Sequence, residues 1–184
     1  MKKQTKPSKS IKTTIVGRDA LQKAIQSEKS ALETYLKFAR QTKNVSGKDM
    51  FLRLCQDELG HLNILEKELD TLMTGQKWVK AKFQHSDIEE ILPHLSSPKD
   101  LKSSGQGTSD DLAALNLALE MEKKASTFYK REGQKAGDKN AQAMYARLTE
   151  MEEAHYNLIQ AELDHIKDVG FWFGIQEFTL EANE

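Results

Sequence analysis

The sequence predicts an all-α protein, a four-helix bundle assembled from a duplicated helical hairpin with one long crossover. Two observations predict it. Apolar residues recur at three- and four-residue steps through four long stretches, and the second half of the chain repeats the first at a fixed offset. Composition agrees: 38% of the 184 residues are hydrophobic and 30% charged, with 3 Pro and 10 Gly, which suits long amphipathic helices better than turn-dense β architecture.

Residues 1–17 form a basic tail, with five lysines between Met1 and Lys12, and are expected to be disordered. They lack the apolar stretch of a signal peptide. The domain proper is expected over 18–184. Its first helix runs from about Arg18 to Lys43, where Leu21, Ala24, Ile25, Leu32, Tyr35 and Ala39 share a face. The second starts near Ser46, read as its N-cap, and stops about Thr74, before Gly75. The third starts near Ser109, a cap ahead of Asp110 and Asp111, and ends around Gly137. The fourth follows from Asp138 to about Val169 and is closed by Gly170. Short links make each pair antiparallel. The connection 75–108, with Pro93, Pro98, Gly105 and Gly107, is long enough to span the bundle and holds one short helix at Asp87–Leu92. An aromatic segment, 170–184, containing Phe171, Trp172, Phe173 and Phe178, reads as a bundle cap or dimer contact.

The repeat halves are 18–74 and 109–169. Ala20 recurs as Ala114, an offset of 94, and at that offset 16 of the 51 positions from Ala20 to Asp70 are identical without a gap. Two copies are too few for a solenoid; a hairpin duplicated into a two-fold bundle fits instead.

Several function classes drop out. A net charge of −1 gives no reason to expect a nucleic-acid or anionic-membrane partner. The single cysteine, Cys55, is read as a half-buried inert thiol. It can form neither an internal disulfide nor a four-cysteine metal site, which fits a reducing, cytoplasmic setting. No apolar run approaches membrane-spanning length.

The repeated polar residues stand where a bundle wants leucine. The second helix carries the stripe Leu54, Glu58, His61, Leu65, Leu69, and the fourth carries Leu148, Glu152, His155, Ile159, Leu163 at the same steps. Glu28 and Glu122 interrupt the apolar faces of the first and third helices. Packing four such stripes together places four carboxylates and two imidazoles in one apolar interior. Ionised and unpaired, each carboxylate would cost several kcal/mol of lost hydration. Two divalent cations bring the sum to zero, with the imidazoles ligating as neutral groups. The set is one Glu from each of two helices plus Glu-x-x-His from each of the others, a pattern general to dinuclear carboxylate bundles. Glu58 and Glu152 are expected to bridge, His61 and His155 to bind one ion each, and Glu28 and Glu122 to be terminal. Tyr35 and Tyr129 read either as core aromatics or as hydrogen-bond partners of the catalytic carboxylates. Oxygen-rich ligation with two imidazoles suits two iron ions, with Mn or Zn as substitutes. The alternative is a metal-free, hydrogen-bonded polar core.

At Glu28…Tyr35, Glu58-Leu59-Gly60-His61, Glu122…Phe128-Tyr129, Glu152-Glu153-Ala154-His155 and the closing Gly170-Phe171-Trp172-Phe173, the chain resembles the rubrerythrin-type branch of the ferritin-like superfamily. That resemblance covers about 18–184. It implies a non-haem diiron oxidoreductase reducing hydrogen peroxide or O₂, with electrons from an external donor such as rubredoxin or a flavoprotein. It also implies a homodimer. The chain departs from rubrerythrins proper in having no four-cysteine rubredoxin-like domain, and in placing Ala125, with its repeat mate Ala31, where they carry an additional glutamate. The remaining symmetric set is closer to bacterioferritin's ferroxidase centre, which makes ferroxidation and iron handling the alternative. A non-enzymatic helical interaction protein is the third reading.

Overall fold

A computed structural model of the chain describes residues 9–96 and 103–173. Four long helices form two antiparallel hairpins: α1 (Lys9–Gln41) with α2 (Val45–Met73), and α4 (Ser109–Lys135) with α5 (Lys139–Val169). A short helix, α3 (Asp87–Ile91), continues into a 3₁₀ turn at Leu92–Ser96 within the crossover. The described residues add one feature the helical pattern does not predict. Strand β1 (Ser103–Gln106) pairs antiparallel with β2 (Phe171–Phe173), Ser103 opposite Phe173 and Ser104 opposite Trp172.

Helix ends differ from expectation for local reasons. The first helix begins at Lys9 rather than Arg18, so 9–17, read from sequence as disordered tail, is helical from Lys9 onward. No proline interrupts that stretch, and extending an existing helix costs far less than nucleating one. Residues 1–8 lie outside the described residues, as do 174–184 with Phe178. The cap of α2 is Asn44, not Ser46, its side chain accepting from Gly47 N–H at 3.1 Å. The cap of α4 is Thr108, not Ser109; Thr108 and Asp111 form a reciprocal capping box at 3.2 and 3.0 Å. Asp138 caps α5, and Gly170 closes it at φ +80°, a left-handed conformation that favours glycine.

The duplication runs further than its identities suggest. Trp78 and Trp172, also 94 apart, follow their hairpins and fold back against the opposite one. Trp172 lies edge-on to Phe51 at 6.3 Å; Trp78 lies edge-on to Tyr145, the repeat mate of Phe51, at 6.1 Å. Each returning segment is held by a repeated glutamate. Val79 N–H donates to Glu68 (3.3 Å) and Phe173 N–H to Glu162 (2.8 Å). Gly47 is required beneath Trp172, since a Cβ there would fall 2.8 Å from the indole.

The crossover is pinned to the α2/α5 side. Arg53 and its mate Arg147 reach Asp87 (3.2 Å) and Glu89 (2.6 Å) on α3, and Ile88 is fully buried beneath them. Trp172 is likewise fully buried, whereas Trp78 is partly exposed. Trp172→Ala is therefore expected to destabilise the fold by about 3–5 kcal/mol in urea denaturation, and Trp78→Ala by distinctly less. Equal losses would contradict this account of the two returning segments.

Candidate metal centre

Glu28 (α1), Glu58 and His61 (α2), Glu122 (α4), Glu152 and His155 (α5) meet at mid-bundle, each no more than 2% exposed. One turn separates each Glu-x-x-His pair, so both side chains leave the same helical face. Two groups of ligand atoms form, each lying within 4.8 Å of one another: Glu28, Glu58, His61 and Glu152; and Glu58, Glu122, Glu152 and His155. Glu58 and Glu152 belong to both.

Both imidazoles turn Nδ1 toward the carboxylates. His61 Nδ1 lies 3.1 Å from Glu58, 3.2 Å from Glu152 and 3.7 Å from Glu28. His155 Nδ1 lies 3.5 Å from Glu58, 3.6 Å from Glu122 and 3.8 Å from Glu152. Proximity does not satisfy these atoms: Glu152 Oε1 and His155 Nδ1 are fully buried without a hydrogen-bond partner. Converging, unsatisfied acceptors of this chemistry fit a cation.

Protons are the other way to neutralise the cluster, and the metal-free protein keeps them. Burial, then the Glu58 charge, pushes the Glu28 carboxyl up to about 8. Burial and the surrounding glutamates hold Glu152 well above the usual carboxylate range. Burial works to raise Glu58 as well, but its hydrogen bonds with Glu28, His155 and His61 prevail and hold it low. Burial would lower both histidines; the carboxylates around them prevail and raise them.

Tyr35 and Tyr129 lie beside the cluster and cross it. Tyr35 on α1 donates to Glu122 on α4, and Tyr129 on α4 donates to Glu28 on α1. Glu122 and Glu28 are thus each oriented by the opposite hairpin, and burial beside these carboxylates keeps both phenols protonated.

Asp57 is the site residue that the sequence reasoning passed over. It accepts from Ser86 Oγ at 2.5 Å and lies 3.1 Å from His155 Nε2. Its place three residues after Leu54 and four before His61 puts it beside the buried stripe, but its repeat mate is Met151, so it lies outside the duplicated pattern. Among the described residues His61 Nε2 has no hydrogen-bond partner.

His85 and His165 lie outside the centre. His85 is exposed and pairs with Glu90 at 3.1 Å, and His165 packs edge-on against Phe173. The side chain of His94 lies outside the described residues. Cys55 is buried more fully than expected, and burial with the Glu58 charge pushes its thiol up to about 11. A cavity of about 210 Å³ opens between α1 and α4, leading from exposed Ser27, Ser30 and Lys124 past Ala31, Ala125 and Met121 to Glu28, Glu58, Glu122 and Glu152. Among the described residues no helix is long and apolar enough to cross a membrane.

A helical bundle enclosing two overlapping carboxylate–histidine nests has ligand groups that could hold metal ions. A family model described as Rubrerythrin matches residues 19–163, and the chain belongs to the rubrerythrin family. That family typically binds iron, and membership suggests a diiron protein of oxidoreductase type. A search of curated proteins found no match.

The retained protons generate a pH dependence. Glu28 rises from 4.5 to about 8, Glu162 from 4.5 to about 9 through burial, and both site histidines rise. Between about 4.5 and 9 the metal-free fold then binds more protons than the unfolded chain, so its stability falls as pH rises. Chelator-treated protein should show a Tm that declines across this window. Metal loading should release protons to a weakly buffered indicator and flatten the decline, and Glu162→Gln should remove most of what persists. A Tm that rises with pH in the metal-free protein would contradict the assignment.

Proposed function

We propose that the protein is a non-haem diiron oxidoreductase that reduces hydrogen peroxide, or O₂, with electrons from an external donor. The observation that carries this reading is the pair of buried nests sharing Glu58 and Glu152, with an imidazole Nδ1 turned into each. Glu58 and Glu152 would bridge, Glu28 and His61 would hold one ion, and Glu122 and His155 the other. Oxygen-rich ligation with two imidazoles favours Fe²⁺, with Mn²⁺ close behind. Two bound irons would supply one electron each, the two that take hydrogen peroxide to water or O₂ to hydrogen peroxide.

The chain's own residues do the rest. Leu54, Leu65, Leu148 and Ile159, all fully buried, close the core above and below the cluster. Tyr129 and Tyr35 fix the orientation of Glu28 and Glu122, and their hydroxyls hold protons directly at those oxygens. The crossover covers the α2/α5 side, so the cavity between α1 and α4 is the route for a small oxidant. Alanine at 31 and 125 leaves that route open to the carboxylates. Electrons come from a separate donor, because the lone thiol of Cys55 cannot build a thiolate redox centre.

Ferroxidation at the same centre is the second reading. The symmetric set of four glutamates and two histidines favours it, since Ala31 and Ala125 leave no further carboxylate among the side chains lining the cavity near the ions.

Anaerobic loading should give about two irons per chain, and stopped-flow mixing of the reduced protein with H₂O₂ should oxidise them far faster than free Fe²⁺. Oxidation no faster than the free ion defeats the peroxidase reading; rapid oxidation by O₂ alone favours ferroxidation. Replacing Ala31 and Ala125 together by leucine should leave iron content unchanged and slow the peroxide reaction roughly tenfold, a barrier rise of about 1.4 kcal/mol.

A further inference from the structure

The six ligand-type side chains obey the two-fold repeat, but the residues supporting the two histidines do not. His155 Nε2 lies 3.1 Å from Asp57 Oδ2, and that carboxylate is held in place by Ser86 Oγ at 2.5 Å. In the neutral, ligating imidazole this geometry puts the proton on Nε2, toward Asp57, and turns the Nδ1 lone pair to Glu58, Glu122 and Glu152. At the repeat-related place, His61 meets Met151 instead of an aspartate. Its Nε2 is buried without a partner, and the ring borders a cavity of about 20 Å³ lined also by Asp57, Gln84 and Met151. That space has room for about one water, which would hold the ring more loosely than an anchored carboxylate.

We infer that the two cation positions are unequal, and that the one formed by Glu122 and His155 with the shared glutamates fills first because Asp57 orients its imidazole. The inference rests on the dinuclear reading above and deepens it. Asp57 touches no cation; it is a positioning residue acting through His155. A carboxylate behind a ligating histidine typically changes metal affinity 10–100-fold, and only one half of this centre has one. Binding is therefore expected in two steps, the second weaker by roughly tenfold or more.

The test is anaerobic titration of the chelated full chain with Co²⁺ against a competing chromophoric chelator, read from the visible bands of bound cobalt. The wild-type chain should show a tight and a weak step. His61→Ala should delete the weak step and keep the tight one, and His155→Ala should delete the tight one. Asp57→Ala should weaken the tight step 10–100-fold while moving the weak one by no more than about threefold, and Asp57→Asn, whose amide oxygen can still accept from Nε2, should recover part of the loss. Should Asp57→Ala fail to fold, the two histidine variants decide the matter. Two equal steps in the wild type overturn the inference while leaving the dinuclear centre standing, as does loss of the tight step in His61→Ala. Failure of the wild-type chain to bind a pair of cobalt ions overturns the dinuclear reading itself, and this inference with it.

Discussion

Four carboxylates share one buried site, and the rest of the molecule follows from the need to make that tolerable. An ionised carboxylate inside a bundle loses several kcal/mol of hydration, and its like-charged neighbours add to the cost. Hydrogen bonds cannot absorb this: Tyr35 and Tyr129 serve one oxygen each of Glu122 and Glu28, and Glu152 Oε1 is left unsatisfied. Only positive charge removes the conflict. Protons supply part of it, held tightly at Glu28 and Glu152, and divalent cations are the other source the converging ligand atoms could accept.

Such a site works only if four helices keep their faces aligned, and the ends of the bundle show how that is done. Trp78 and Trp172 cross from one hairpin to the other, so neither hairpin can slide or rotate without unseating an indole. Glu68 and Glu162 anchor the returning backbone behind them. Arg53 and Arg147 fasten the crossover over α2 and α5. One side of the centre is thereby covered, and the other opens through a cavity past small residues on α1 and α4.

Much of this was legible in the sequence because it is periodic. A glutamate and a histidine at Leu-type positions on two helices, at one offset, have few explanations in an apolar interior, so the cluster could be read before any coordinates. Features outside the period were harder to read. A three-residue strand such as Phe171–Phe173 has too few alternations to register, and it forms only because Ser103–Gln106 is there to pair with it. The caps Asn44 and Thr108 lie within two residues of Ser46 and Ser109, which have the same capping chemistry, and backbone geometry alone chooses between them. The start at Lys9 depends on helix propagation, which a lysine-rich composition conceals.

Asp57 escaped notice for the opposite reason. A search guided by symmetry finds what is duplicated, and Asp57 matters because it is not. Its anchoring partner, Ser86, precedes α3 in the crossover. The crossover therefore fixes the support of one histidine through Ser86 and Asp57, whereas beside the other its Gln84 only borders a small cavity. Duplication alone would give two equivalent positions; closing the bundle with a single crossover on one side supplies the means to distinguish them. A pair of ions that differ in affinity can differ in reduction potential too, because the same hydrogen bond acts on the ligand's basicity. Asymmetry of this kind arises from one difference between the repeated halves, Asp57 against Met151, anchored from the crossover by Ser86, and it leaves the six side chains that form the nests in matching pairs.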